Sequence, residues 1–318
     1  MKRTSSTCGL RHFLLMAFWF ATTLTAGVMY RMVVVAIYFE FPFIIILCQS
    51  VISLILFQIG KLLFPDFCKA WSTSIDWKAF PVSLLLTITL ILDFHAFYQE
   101  TTASNLIEYL AAPLLVVLSS GRTKPGKRLP AMMSVLSVFF TYATINVTDL
   151  SSNGILFGVS LLFSNVTFLI TLRKYLANSS VSRFLFSHFA FSSVILFVFE
   201  VFKHDIHRLF LYVHLWQLPY FYSVLFSFVV CSSLSLLSLC HVITRFEIST
   251  IALTLNTKSS WQFVITNFIY RNVAFKAFYD LNSSIVLSAF AAFTVNIVAF
   301  WIDSKNRFGQ HLLARNTE

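Results

Sequence analysis

The sequence predicts an all-α membrane protein of ten transmembrane helices, and three observations carry that expectation. Of the 318 residues, 58% are hydrophobic and only 11% are charged, against roughly 25% charged in a soluble domain. So apolar a chain has too little polar surface to coat a water-soluble exterior. Ten apolar runs follow one another, most of them close to the ~20 residues that cross a hydrocarbon core of ~30 Å. The 23 lysines and arginines then sort between the loops with a strong bias to one side. Together these exclude a soluble enzyme, a nucleic-acid-binding domain and a disordered chain.

The runs cover residues 13–30, 40–64, 80–98, 103–120, 129–146, 153–171, 184–201, 220–242, 248–270 and 283–302. Within hydrocarbon each must satisfy its own backbone, so each is expected as a helix. The first begins after Arg11 with no small-residue cleavage site, which predicts a retained helix rather than a signal peptide. With ten spans, the N-terminal side holds Lys2, Arg3, Arg11, Lys61, Lys69, Lys78, Arg122, Lys124, Lys127, Arg128, Arg173, Lys174, Arg183, Arg245, Lys305, Arg307 and Arg315. The opposite side holds only Lys203, Arg208, Arg271 and Lys276. The positive-inside rule then places both termini in the cytosol. The net charge of +10 is thereby explained as a topology signal and not as a nucleic-acid-binding stripe. No linker exceeds about 20 residues, so residues 1–318 are expected as one membrane domain. The basic loop 121–130 divides the runs 4+6, or 5+5 if the fifth helix joins the first half. The count of ten is what suggests an inverted 5+5 transporter repeat.

A charge at the centre of a span costs roughly 2.5–3.5 kcal/mol on insertion scales, so each one calls for a reason. Lys258 lies about ten residues into the ninth run, among Thr254, Asn256, Thr257, Ser259 and Ser260. That polar patch reads as the lining of a hydrated cavity, with the ammonium as counter-ion to a phosphate or carboxylate. The other reading is a structural lysine paired with Glu108 or Asp93. Arg31 ends the first run, either snorkelling to the headgroups or pointing inward as a second cation. Asp93, His95, Glu100 and Glu108 form either a proton relay or a set of interhelical hydrogen bonds. Ser187 and His188, near one end of the seventh run, are candidates to hydrogen-bond a sugar or base, or to serve only the packing.

The five cysteines (Cys8, Cys48, Cys68, Cys231 and Cys240) contain no CxxC pair and call for neither a disulfide nor a metal. His204, Asp205, His207 and His214 in the loop after the seventh run give the one metal-like spacing. No GxSxG, HExxH or glycine-rich phosphate loop occurs. No catalytic residue, cofactor or bound metal is therefore expected. Sequons stand at Asn146, Asn165, Asn178 and Asn282, of which Asn146 and Asn282 fall on the expected luminal side.

Three segments bear a family likeness. The stretch from Phe18 to Arg31, followed by Phe41-Pro42 and Gln49-Ser50, resembles the first two helices of the nucleotide-sugar transporter and triose-phosphate translocator branch of the drug/metabolite transporter superfamily. Tyr30-Arg31 stands where that family closes its first helix with Asn-Lys. Residues 105–113 (NLIEYLAAP) are similar to the fourth helix of GDP-mannose-type carriers. Residues 250–258 (TIALTLNTK) resemble the ninth-helix motif, with Asn256 and Lys258 matching and Leu255 in the glycine's place. Leu185-Phe186-Ser187-His188 occupies the seventh-helix position of a Phe-Tyr-Asn-Asn motif that this sequence does not keep, so base and sugar stay open.

The resemblance implies a ten-helix carrier of the Golgi or ER membrane that exchanges a cytosolic nucleotide sugar for a luminal nucleoside monophosphate. In that reading Lys258 and Arg31 neutralise phosphate, while Asn256, Ser187 and His188 bind sugar or base. The two halves rock about the site without covalent chemistry. The partners are then the solutes and the bilayer, with no nucleic acid; a homodimer is compatible with this. Two other readings stand beside it: a multi-pass enzyme using the luminal histidines, and a non-transporting accessory protein derived from a carrier.

Overall fold

The computed structural model describes residues 4–33, 39, 41–64, 71–98, 152–203 and 219–246. It also describes isolated positions at 110–111, 114–115, 132, 135–136, 207–208, 211, 248, 250–251, 254–255, 294–295 and 298. Among the described residues there are helices and no strand. The long elements are α1 (Thr4–Arg31), α2 (Pro42–Leu63), α3 (Phe80–Tyr98), α4 (Ser152–Leu176), α5 (Val181–Lys203) and α6 (Pro219–Arg245), with a 3-10 turn at Trp77–Ala79 before α3. Arg11–Tyr30, Phe43–Leu63, Gly154–Leu176, Val181–Lys203 and Tyr220–Arg245 are each long and apolar enough to cross a membrane. Among the described residues the protein is all-helical, and these five helices make it a multi-pass membrane protein. The expected fourth, fifth, ninth and tenth spans lie almost wholly outside the described residues, and with them the ten-span count and the 5+5 repeat.

The helix ends follow local chemistry more than hydropathy. Pro42 opens α2 at a position whose N–H would have no partner anyway. α4 continues past the apolar run through Arg173 and Lys174, good helix formers, and stops at Ala177-Asn178. Ser180 caps α5, its hydroxyl accepting from the Arg183 N–H at 3.4 Å. Asp76 caps the 3-10 turn by accepting from the Lys78 N–H at 3.0 Å.

The chain divides into two compact units: Met1–Gln99 with Thr167–Arg245, and Glu100–Val166 with Phe246–Glu318. Each unit interleaves an earlier and a later stretch, so neither is simply one half of the chain. The first unit contains most of the described residues. In it α1 packs antiparallel on α6, α2 packs antiparallel on α5, and α3 runs beside α5. One end of this unit collects Lys61, Lys78, Arg173, Lys174, Arg183 and Arg245, while Arg31 and Lys203 close helices at the other.

Apolar packing fixes the end opposite the basic one. Tyr30, Val33, Phe39, Phe41, Ile44, Ile45, Phe221, Phe228 and Val229 form a single buried cluster joining α1, α2 and α6. Phe39 stacks on Phe221 at 5.6 Å, and Tyr30 tilts against Phe228 at the same separation. The outer face of α5 is different. Val194, Phe197, Val198, Phe199, Val201 and Phe202 are exposed, as befits a surface solvated by acyl chains.

Between the helices, small hydroxyl side chains permit close approach and also bond across the gap. A hydroxyl has one proton, which fixes the direction of each bond. Thr23 donates to the Trp19 carbonyl at 2.6 Å, so the 2.7 Å contact with Ser235 of α6 has serine as donor. Ser233 donates to the Val229 carbonyl, so Ser53 of α2 is the donor in its short bond to Ser233. These two bonds tie α6 to α1 and to α2. A double-mutant cycle of Thr23→Val and Ser235→Ala, read by thermal unfolding in detergent, is expected to give a coupling of about 0.6 kcal/mol. Strict additivity would contradict the pairing.

Candidate functional site

Of the five residues singled out from the sequence, the structure brings two into full view. Ser187 and His188 sit in the second turn of α5 with 0% and 2% of their surface exposed. Arg31 is the last residue of α1. Asn256 and Lys258 lie outside the described residues, as do Glu100 and Glu108. Just before them, Thr250 and Thr254 are helical and buried, and Thr254 donates to the Thr250 carbonyl at 2.8 Å.

His188 is held by a chain of donors running into α3. Thr87 gives its proton to the Ser83 carbonyl at 2.9 Å. Ser192 must therefore donate in its 2.7 Å bond to Thr87, and its oxygen is left to accept from His188 Nδ1 at 3.3 Å. The neutral imidazole thus carries its proton on Nδ1 and presents Nε2 as a bare acceptor. Phe184 stacks on the ring at 5.9 Å, limiting its rotation. Among the described residues nothing hydrogen-bonds Nε2. Chemically, His188 can accept from a sugar hydroxyl or a base N–H; it is not arranged to donate.

Ser187 has a different task. Its hydroxyl oxygen accepts from the Asp76 N–H at 2.8 Å, pinning the segment before α3 onto α5. The same segment is fastened at several further points. The Tyr175 hydroxyl donates to Asp76 Oδ2 at 2.8 Å, the Ser72 N–H donates to Ser182, and Arg183 Nε donates to Ser74. Trp71 stacks on Phe57 at 4.7 Å, above Gly60, where a Cβ would stand 3.4 Å from the indole. Trp77 and Phe80 both pack on Phe191 at 5.3 Å. Residues 71–79 are consequently a rigid cover over the basic end of the first unit. Adjacent in sequence, Ser187 and His188 serve two separate networks.

Three charged side chains on α3 and α5 lie apart from these two networks. Asp93 is half-buried on α3 and acts electrostatically on the Tyr30 hydroxyl, one residue before Arg31. Glu200 of α5 has no exposed surface. Sequence reasoning passed over it, although a single carboxylate in the apolar string from Val194 to Phe202 was signal enough. Lys203, one turn on, sets its ammonium 4.2 Å over the Phe43 ring. His204 and Asp205 lie outside the described residues, and His207 is exposed. Among the described residues no three His, Cys, Asp or Glu side chains are placed to share a metal. Cys48, Cys231 and Cys240 are free thiols.

No known family profile matches the chain, and no curated protein matches it. Among solved structures, one described only as "Crystal structure of protein" is similar with a TM-score of 0.61 and 12% identity, over 93% of this chain and 98% of that one. That likeness extends to the fold and no further.

The Tyr175 bond holds the Asp76 carboxyl below the usual carboxylate range, helped by the Lys78 N–H and the charges of Arg183 and Lys78. A carboxyl lowered on folding stabilises above its unfolded value, near ~3.9, and the contribution fades as pH falls through the folded value. Tyr175→Phe is therefore expected to lower the thermal midpoint at about pH 7, with the gap from wild type closing below about pH 4. A gap that persists unchanged in acid would contradict the Asp76 assignment.

Proposed function

We propose that this protein is a secondary transporter of an anionic solute, a nucleotide sugar exchanged for a nucleoside monophosphate across the Golgi or ER membrane. The observation that carries the reading is Lys258, a cation ten residues into an apolar run and set among hydroxyls and an amide. An ammonium there is stable when water or an anion reaches it, and a phosphate is the anion that a carrier of this resemblance would bring. Thr250 and Thr254, buried and four apart, precede Lys258 at the same spacing in sequence.

Other features support the reading. The chain is multi-pass and helical, without a linker long enough for a soluble catalytic domain. It divides into two compact units, and alternating access by rigid-body motion requires two bodies. His188 offers a fixed acceptor of the kind that selects a sugar hydroxyl or base N–H. Ser187 contributes by holding the 71–79 cover, and the task of neutralising phosphate falls to Lys258 with Arg31.

In reconstituted vesicles, Lys258→Ala is expected to reduce nucleotide-sugar uptake by about ten- to a hundredfold, the loss of one charge-assisted hydrogen bond. Expression and elution as a folded species should be unchanged, and Lys258→Arg should retain part of the activity. Normal uptake by Lys258→Ala would overturn the reading; an accessory protein would transport nothing in either form.

A further inference from the structure

The geometry points to a seat for the headgroup of an anionic phospholipid at the basic end of the first unit, between Lys61 of α2 and Arg183 of α5. Lys61 Nζ donates to the Thr73 hydroxyl at 3.2 Å, and Arg183 Nε donates to the Ser74 hydroxyl at 3.3 Å. Two cations distant in sequence are thereby anchored on adjacent residues of one rigid segment. Each rests on a neutral hydroxyl, which aims the cation without cancelling its charge. Arg183 is exposed, and its two terminal nitrogens meet no carboxylate among the described residues. That guanidinium fork suits phosphate oxygens.

The local charge balance favours an anion. Among the described residues, Lys61, Lys78, Arg173, Lys174, Arg183 and Arg245 share this end with Asp76, whose two oxygens already accept from the Lys78 N–H and the Tyr175 hydroxyl. The surroundings then select a lipid over a free anion. Lys61 sits two residues from the end of the Phe43–Leu63 span. Leu62, Leu63 and Phe64, the residues after it, are 80%, 62% and 63% exposed, a surface suited to acyl chains. Trp77 is 76% exposed beside Lys78, as an indole anchored at headgroup level would be. Phosphate-seeking cations therefore border chain-solvating side chains, which is the layout of a phospholipid and not of a soluble ion. The inference rests on the membrane assignment alone, and a failure of nucleotide-sugar transport would leave it standing.

The test uses the full chain in phosphatidylcholine nanodiscs, titrated with phosphatidylinositol 4-phosphate and read by thermal midpoint and by lipid retained in native mass spectrometry. Wild type is expected to show saturable stabilisation and to retain the anionic lipid over phosphatidylcholine. Inorganic phosphate and a water-soluble glycerophosphoinositol phosphate should not reproduce the effect. Lys61→Gln with Arg183→Gln should require about tenfold more anionic lipid, while Arg245→Gln at the same end titrates as wild type. If the double variant does not fold, Arg183→Gln alone, an exposed position, is expected to weaken retention by about threefold. Unchanged titration in the variants, or equal stabilisation by the soluble phosphates, would overturn the proposal.

Discussion

Hydrocarbon offers no hydrogen bonds, so a polar group carried into the membrane is costly unless it finds a partner within the protein. The first unit is organised around that requirement. Its threonines and serines return protons to carbonyls one turn back, as Thr87 does to Ser83 and Ser233 to Val229. The oxygen left over then accepts from a neighbouring helix. Thr23 with Ser235, Ser53 with Ser233, and Thr87 with Ser192 are variants of one arrangement. It ties α6 to α1 and α2, and α3 to α5, at the close spacing that small side chains permit. The same accounting fixes the His188 tautomer, because the chain of donors ends at its Nδ1. A structural constraint on the hydroxyls thereby sets what the imidazole can offer a ligand.

Polarity also divides the unit along its length. At one end, where Arg31 and Lys203 close their helices, aromatic and aliphatic side chains from Tyr30 to Val229 form the apolar cluster. At the other, residues 71–79 are fastened by hydroxyls, a carboxylate and an arginine to α4 and α5. The polar fastening lies where water and headgroups are within reach, and the apolar cluster gathers the start of α2 and the start of α6. The cover is fastened to α4 and α5 at several points. In a carrier it would belong to one rigid body, leaving the gating to other segments.

Much of the helical plan was legible because hydropathy reports directly on the solvent each segment meets. The run at 80–98 coincides with α3. α1 and α4 outrun their apolar segments, since charged residues such as Arg11 and Lys174 are good helix formers and a span ends in hydropathy before its helix ends in geometry. Less of the site was legible. Ser187 and His188 were picked out as polar residues on an apolar helix, but Asp76, the partner of Ser187, and Thr87, which anchors the Ser192 that His188 bonds, lie about a hundred residues away. No local pattern encodes such a pairing. The cover formed by residues 71–79 was unread for the same reason. Glu200 was missed for a different one: its place near a helix end suggested a surface group, although the apolar string around it already argued for burial.

The functional account joins two scales. In the proposed carrier, Lys258 would supply the attraction for an anionic solute, and an oriented acceptor such as His188 would supply the discrimination that charge alone cannot. The most direct test is a counterflow assay on the unmodified protein in proteoliposomes preloaded with nucleoside monophosphates, against a panel of radiolabelled guanosine, uridine and cytidine nucleotide sugars. The account predicts saturable uptake of at least one nucleotide sugar, accelerated by its cognate monophosphate inside. Uptake of none of them, with or without a preloaded monophosphate, would contradict it.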